Sequence, residues 1–187
     1  MSGFEYFTAL VSIVLGFTLA RVVGGIGNTL IDSKRGVEVW LTTAWCVALL
    51  IQILVFWFVI WRIFSASDSI SFVETTVFVL ATVVLYLASY VLVSNDHDRI
   101  GIPISSFFFC LAIHFSLVVG YTSVVSSFSL GTVISGGLIC LSLTGPLLKK
   151  NSHHFVLVSV YLITLIAVTL TTVQTIGDGS LLLQRYE

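Results

Sequence analysis

Charged side chains are scarce: 8 Lys and Arg and 9 Asp and Glu make up 9% of the 187 residues. Soluble domains carry about a quarter of their residues charged, so a soluble globule is excluded. The two signs nearly cancel, to a formal net charge of −1, and this balance gives no reason to expect a nucleic-acid partner. Cysteine is nearly as sparse. Cys46, Cys110 and Cys140 lie in apolar runs with no paired spacing, which excludes a disulfide framework and reads as small core residues. Catalytic signatures are missing too: the chain has no phosphate-binding loop, no G-x-S-x-G elbow, no H-E-x-x-H helix, and no lysine inside an apolar run to hold a Schiff base. A bis-histidine haem would need a second mid-depth histidine facing His114. No cofactor and no enzymatic activity are therefore expected. The opening Met-Ser-Gly-Phe-Glu lacks the basic region of a cleavable signal, so the first apolar run is expected to stay in the mature protein.

Apolar residues, at 57% of the chain with a mean hydropathy of +1.10, identify an integral membrane protein. Runs near residues 4–24, 39–63, 71–93, 104–126, 128–148 and 155–176 are each long enough to span as a helix, which takes roughly 20 residues. The expected fold is one all-α membrane domain of six transmembrane helices. The fifth run, interrupted by Gly131, Gly136, Gly137, Gly145 and Pro146, is open to kinking or a re-entrant form. Arg21, Lys34, Arg35, Arg99, Lys149 and Lys150 fall at one set of helix ends and Arg62 and Arg185 at the other. By the positive-inside rule, six against two puts both termini outside. Ser12-Ile-Val-Leu-Gly16-Phe17-Thr18 also matches Ser116-Leu-Val-Val-Gly120-Tyr121-Thr122 in register. A true repeat would make two inverted three-helix halves, an architecture of secondary transporters; chance similarity between apolar helices is the alternative.

Thr8, Ser12, Gly16, Ala20, Gly24 and Asn28 stand four residues apart along the first helix. Small residues at this spacing let helix backbones approach closely in lipid, where dispersion replaces the hydrophobic effect. The expectation is a small face from end to end, on a helix serving as a central strut.

Polar residues inside the spans are the candidates for chemistry. His114 is the one ionisable group near mid-span, recurring with Ser106 and Cys110 at intervals of four and followed by Tyr121. It reads as a proton- or ion-handling group or as an interhelical hydrogen-bonding group. Gln52, at similar depth in the second helix, reads first as interhelical glue. Glu5 and Glu74 enter from the same predicted outer side, either as a cation-attracting mouth or as carboxylates favoured by helix N-termini. Arg21 reads as a snorkelling anchor. Asn95-Asp96-His97-Asp98-Arg99 and His153-His154 offer imidazole and carboxylate in loops on one side, though their spacing is not that of a metal site. Trp40, Trp45, Trp57 and Trp61 bracket the second helix as an aromatic belt, and Phe107-Phe108-Phe109 is expected to pack or to face lipid.

The first helix, with Glu5, Ser12-Ile-Val-Leu-Gly16 and Gly24-Gly25, resembles small bacterial inner-membrane proteins of unassigned function over about its first thirty residues. That resemblance implies a bacterial inner membrane and links Glu5 to the small-residue stripe; it implies no mechanism. Two functional expectations follow. The leading one is passage of, or coupling to, a proton or monovalent cation through Glu5, Ser12, Gln52, Glu74 and His114. The other is a scaffold or subunit that assembles with itself or with a membrane partner through Thr8, Ser12, Gly16, Ala20 and Gly24. A stripe buried inside the protomer around polar residues favours the first; a stripe at a subunit interface favours the second.

Overall fold

A computed structural model describes residues 3–31, 37–65, 71–93, 102–125, 130–148 and 151–177. All of it is helical apart from the short ends: α1 Gly3–Ile31, α2 Val37–Ser65, α3 Phe72–Val93, α4 Ile102–Val125, α5 Leu130–Thr144 with a 3₁₀ turn at Gly145–Leu147, and α6 Asn151–Gly177. Five of the six described helices are long and apolar enough to cross a membrane. The fifth is the exception. At 15 residues, α5 is about 22 Å long, and its 3₁₀ turn adds about 6 Å.

Neighbouring helices close into a ring in the order α1, α2, α6, α5, α4, α3, with α2 also reaching α3 across the middle. Large apolar side chains face outward on every helix, among them Phe17, Leu54, Leu80, Phe109, Val133 and Ile163. Water would not tolerate so much exposed apolar surface on a monomer; lipid does. The protein is a membrane protein. Its polar hydroxyls obey the same solvent: Ser12 donates to the Thr8 carbonyl at 2.6 Å, Thr18 to Val14 at 2.7 Å, Thr82 to Phe78 at 2.7 Å and Ser142 to Leu138 at 2.8 Å. Each bond lies within its own helix, so these residues cross an apolar medium without needing a partner.

The ring is filled by aromatics. Trp45 meets Phe107, Phe108 and Tyr161 edge-on at centroid distances of 5.5, 4.9 and 5.4 Å, and Phe56 lies 6.2 Å from Phe78. The expected Trp belt is thus divided. Trp40 and Trp61 are exposed, but Trp45 is buried in the core and Trp57 is half-buried, because Trp45 lies on the helix face turned to α4 and α6. The cysteines divide as well: Cys46 is buried, Cys110 half-buried and Cys140 exposed, so the reading of all three as core residues fails at Cys140.

Gly24-Gly25 do not end α1, which continues to Ile31. A Cβ on Gly25 would lie 2.7 Å from the Val93 side chain, so glycine there admits the end of α3. Neither do Gly136 and Gly137 break α5. It tightens only at Gly145, where Pro146 has no N–H for the next α-helical bond, and the turn closes with Leu148 N–H donating to the Gly145 carbonyl at 3.2 Å. The two halves pack differently. α1 lies against α3 along its backbone, whereas the corresponding α4 and α6 meet through the side-chain pairs Phe115–Tyr161 and Phe108–His154.

Candidate functional site

The polar residues singled out in the sequence fall into three separate places. Gln52 and His114 lie in the core, Glu5 and Glu74 at one end of the bundle, and the small-residue series along the outside of α1.

In the core, Gln52 on α2 accepts a hydrogen bond at Oε1 from the hydroxyl of Tyr161 on α6. Both side chains are fully buried. The Gln52 amide nitrogen is enclosed without a hydrogen-bond partner. Tyr161 was not anticipated, although a tyrosine in mid-span, away from the interface where tyrosines concentrate, was the signal for it. His114 on α4 places Nδ1 3.0 Å from the Ala81 carbonyl of α3. A carbonyl only accepts, so Nδ1 donates and carries the ring proton. Phe56 stands edge-on to the imidazole at 4.7 Å and Phe115 at 5.3 Å. Gln52 and His114 thus each tie helices together, by separate bonds to separate partners.

At the bundle end, Glu74 belongs to a reciprocal cap. Ser71 N–H donates to Glu74 Oε2 at 2.8 Å while Glu74 N–H donates to Ser71 Oγ at 3.2 Å, which satisfies two backbone donors left over at the start of α3. Glu74 Oε1 also accepts from the Tyr121 hydroxyl of α4 at 2.9 Å. Glu5 is exposed in the first turn of α1. Since α1 and α3 run parallel and pack together, with Gly25 against Val93 late in both, the two carboxylates share one end. Between Glu74 and His114 stands an aromatic partition: Tyr121 lies 4.8 Å from Phe78, and Phe78 adjoins Phe56.

Along α1 the inward face is made of Phe7, Val11, Leu15, Thr18, Val22 and Gly25, all buried. Thr8 and Ser12 are half-buried, and Gly16, Ala20, Gly24 and Asn28 are exposed. Nothing lies within 4 Å of a Cβ built on Gly16, Gly24 or Gly27. The expectation of a central strut packed through its small residues is therefore corrected. A four-residue step turns an ideal helix by about 40° beyond one full turn, so the series is an inclined ridge that starts beside the core and winds out to the surface.

The outer groove between α4 and α5, about 410 Å³, is open and lined by Ser105, Ser106, Phe109, Cys110, Ser142, Leu143 and Pro146. It does not adjoin Gln52 or His114. His154 is buried, with Nε2 3.1 Å from the Leu148 carbonyl and its ring stacked on Phe108, and His153 is exposed. The 95–99 cluster lies outside the described residues. Among the described residues no group of three His, Cys, Asp or Glu side chains is placed to hold a metal ion. Comparison with protein-family models, with curated proteins and with solved structures gives no match.

Proposed function

We propose that this chain is a non-enzymatic membrane subunit that associates, through the outward ridge of α1, with a second copy or with another membrane protein. The observation that carries the reading is the division of labour on α1. The large residues Val11, Leu15 and Val22 are buried within the protomer, while Gly16, Ala20 and Gly24 are exposed and a Cβ on Gly16 or Gly24 meets nothing. Small residues on a lipid-facing helix surface serve close approach of another helix. In this proposal all six helices span, α5 with the help of its 3₁₀ turn, both termini lie outside, and the membrane is the bacterial inner membrane that the first-helix resemblance implies. The test is the mass of the solubilised complex, measured by native mass spectrometry for wild type and Gly16→Leu. Loss of partner mass with unchanged helix content supports the reading, and an unaltered complex or a wild-type monomer counts against it.

A second reading, coupling to a proton or monovalent cation through Glu5, Ser12, Gln52, Glu74 and His114, rests on the burial of Gln52 and His114 at mid-span, where polar groups are expensive. It is the weaker of the two. The Ser12 hydroxyl is bonded within α1, and Phe56 and Phe78 stand between the carboxylate end and the imidazole. Proton and potassium flux into liposomes, compared for wild type, His114→Ala and Glu5→Gln, decides it; flux unchanged by both substitutions removes this reading.

A further inference from the structure

The face between α1 and α3 carries one basic side chain in an unusual setting. The Arg21 guanidinium lies over the Tyr90 ring, 4.1 Å from its centroid. Its Nε is enclosed without a hydrogen-bond partner while the side chain as a whole stays partly exposed. Among the described side chains it is the one Lys or Arg. Three residues further along α1, Gly24 contributes no side chain and leaves open space beside it. Asn28 follows one turn later, exposed. On the other side of Arg21, Phe17 lies one turn back and exposed, and Leu87 lies three residues before Tyr90, also exposed.

Depth gives this arrangement its meaning. α3 has 22 residues, about 33 Å, close to the thickness of the hydrocarbon core. Tyr90 stands three residues from its end, at the level where headgroups begin and interfacial tyrosines collect. Cation, amide and phenol therefore lie at the water side, and Phe17 and Leu87 lie toward the bilayer centre. This is the polarity of a phospholipid.

We propose that Arg21, Tyr90, Gly24 and Asn28 form a binding site for the phosphate of an anionic lipid headgroup, with an acyl chain along Phe17 and Leu87. The ring beneath Arg21 fixes its plane, and a fixed guanidinium offers paired donors that match phosphate oxygens. Gly24, at the water-side end of the ridge, leaves room for the headgroup beside a partner docked at Gly16 and Ala20, and Asn28 adds a neutral donor. The charge of the site selects anionic over zwitterionic lipid.

The test uses the full chain in detergent, titrated with phosphatidylglycerol or with phosphatidylcholine, bound lipid being counted by native mass spectrometry. Wild type retains phosphatidylglycerol in preference to phosphatidylcholine. Arg21→Gln lowers that retention about fivefold, the worth of one basic group near an anionic surface. Tyr90→Leu, on the neighbouring helix and away from the α1 ridge, lowers it as well, and Arg21→Lys falls between wild type and Arg21→Gln. Circular dichroism and elution volume report folding, and Tyr90→Leu decides the matter if Arg21→Gln does not fold. Equal retention of both lipids by wild type, or phosphatidylglycerol retention unmoved by either Arg21→Gln or Tyr90→Leu, overturns the proposal. Release of the lipid by millimolar inorganic phosphate also overturns it, because the site would then be one for free phosphate.

Discussion

Phe108 occupies the space above Gly145: a β-carbon on Gly145 would stand 2.5 Å from the Phe108 ring. The ring cannot retreat, because Trp45 meets it at 4.9 Å and His154 stacks on it at 5.9 Å. Glycine at the end of α5 is what lets α4, α5 and α6 converge. Gly145→Ala therefore destabilises the fold by about 1–3 kcal/mol, the range for an overpacked core, read as an earlier unfolding midpoint in a denaturing-detergent titration. Gly136→Ala, whose added carbon meets nothing within 4 Å, leaves the midpoint in place or raises it. An equal effect of both would mean that helix propensity and not the Phe108 contact governs α5.

Much of the fold was legible in the sequence, because hydropathy and helix length are set residue by residue. Spans expected at 39–63 and 71–93 compare with Val39–Trp61 and Phe72–Val93. Contacts between helices were harder to read, since they depend on which face turns inward. Trp45 is indistinguishable from Trp40 by composition, yet one is core and the other exposed. The i+4 series on α1 has the spacing of a straight face, but the helix's 3.6-residue turn inclines it by about 40° at each step. Ser71-Phe72-Val73-Glu74 carries a readable cap pattern, and the reciprocal bonds of Ser71 and Glu74 realise it.

That cap gives a local prediction. Replacing Ser71 by alanine removes the acceptor for the Glu74 N–H, and the first turn of α3 loses one of its two reciprocal bonds. Amide exchange at residues 72–75 accelerates several-fold, while the middle of α3 is unchanged. Uniform acceleration along α3 would show that the cap stabilises the whole helix.

Gln52 and Tyr161 yield a double-mutant cycle. Tyr161→Phe strands the Gln52 carbonyl oxygen, and Gln52→Met strands the Tyr161 hydroxyl, each in a dry core. Either single change lowers stability by about 1 kcal/mol. The double variant recovers part of that loss, because no polar group is then left unpaired, and it also removes the amide nitrogen that has no partner in the native core. Strict additivity in the unfolding midpoints would mean that the bond couples α2 to α6 only weakly.

The two faces of α1 should separate folding from association. Val11 is 1% exposed inside the protomer, and Ala20 is exposed on the ridge. Val11→Ala opens a void where the helix meets its own bundle, and lowers stability by about 1–3 kcal/mol, given two lost methyl groups and the space they leave, read as an earlier unfolding midpoint. Ala20→Leu adds bulk on the outer surface, so the isolated protomer unfolds where wild type does. If a helix docks on the ridge, added bulk holds the backbones apart and removes the dispersion contacts on which association in lipid depends. Measured on the same preparations, the midpoint and the complex mass should thus respond to opposite variants: Val11→Ala moves the first, and Ala20→Leu the second. A drop in complex mass only in proportion to lost stability, in both variants, would mean that the ridge faces nothing but lipid.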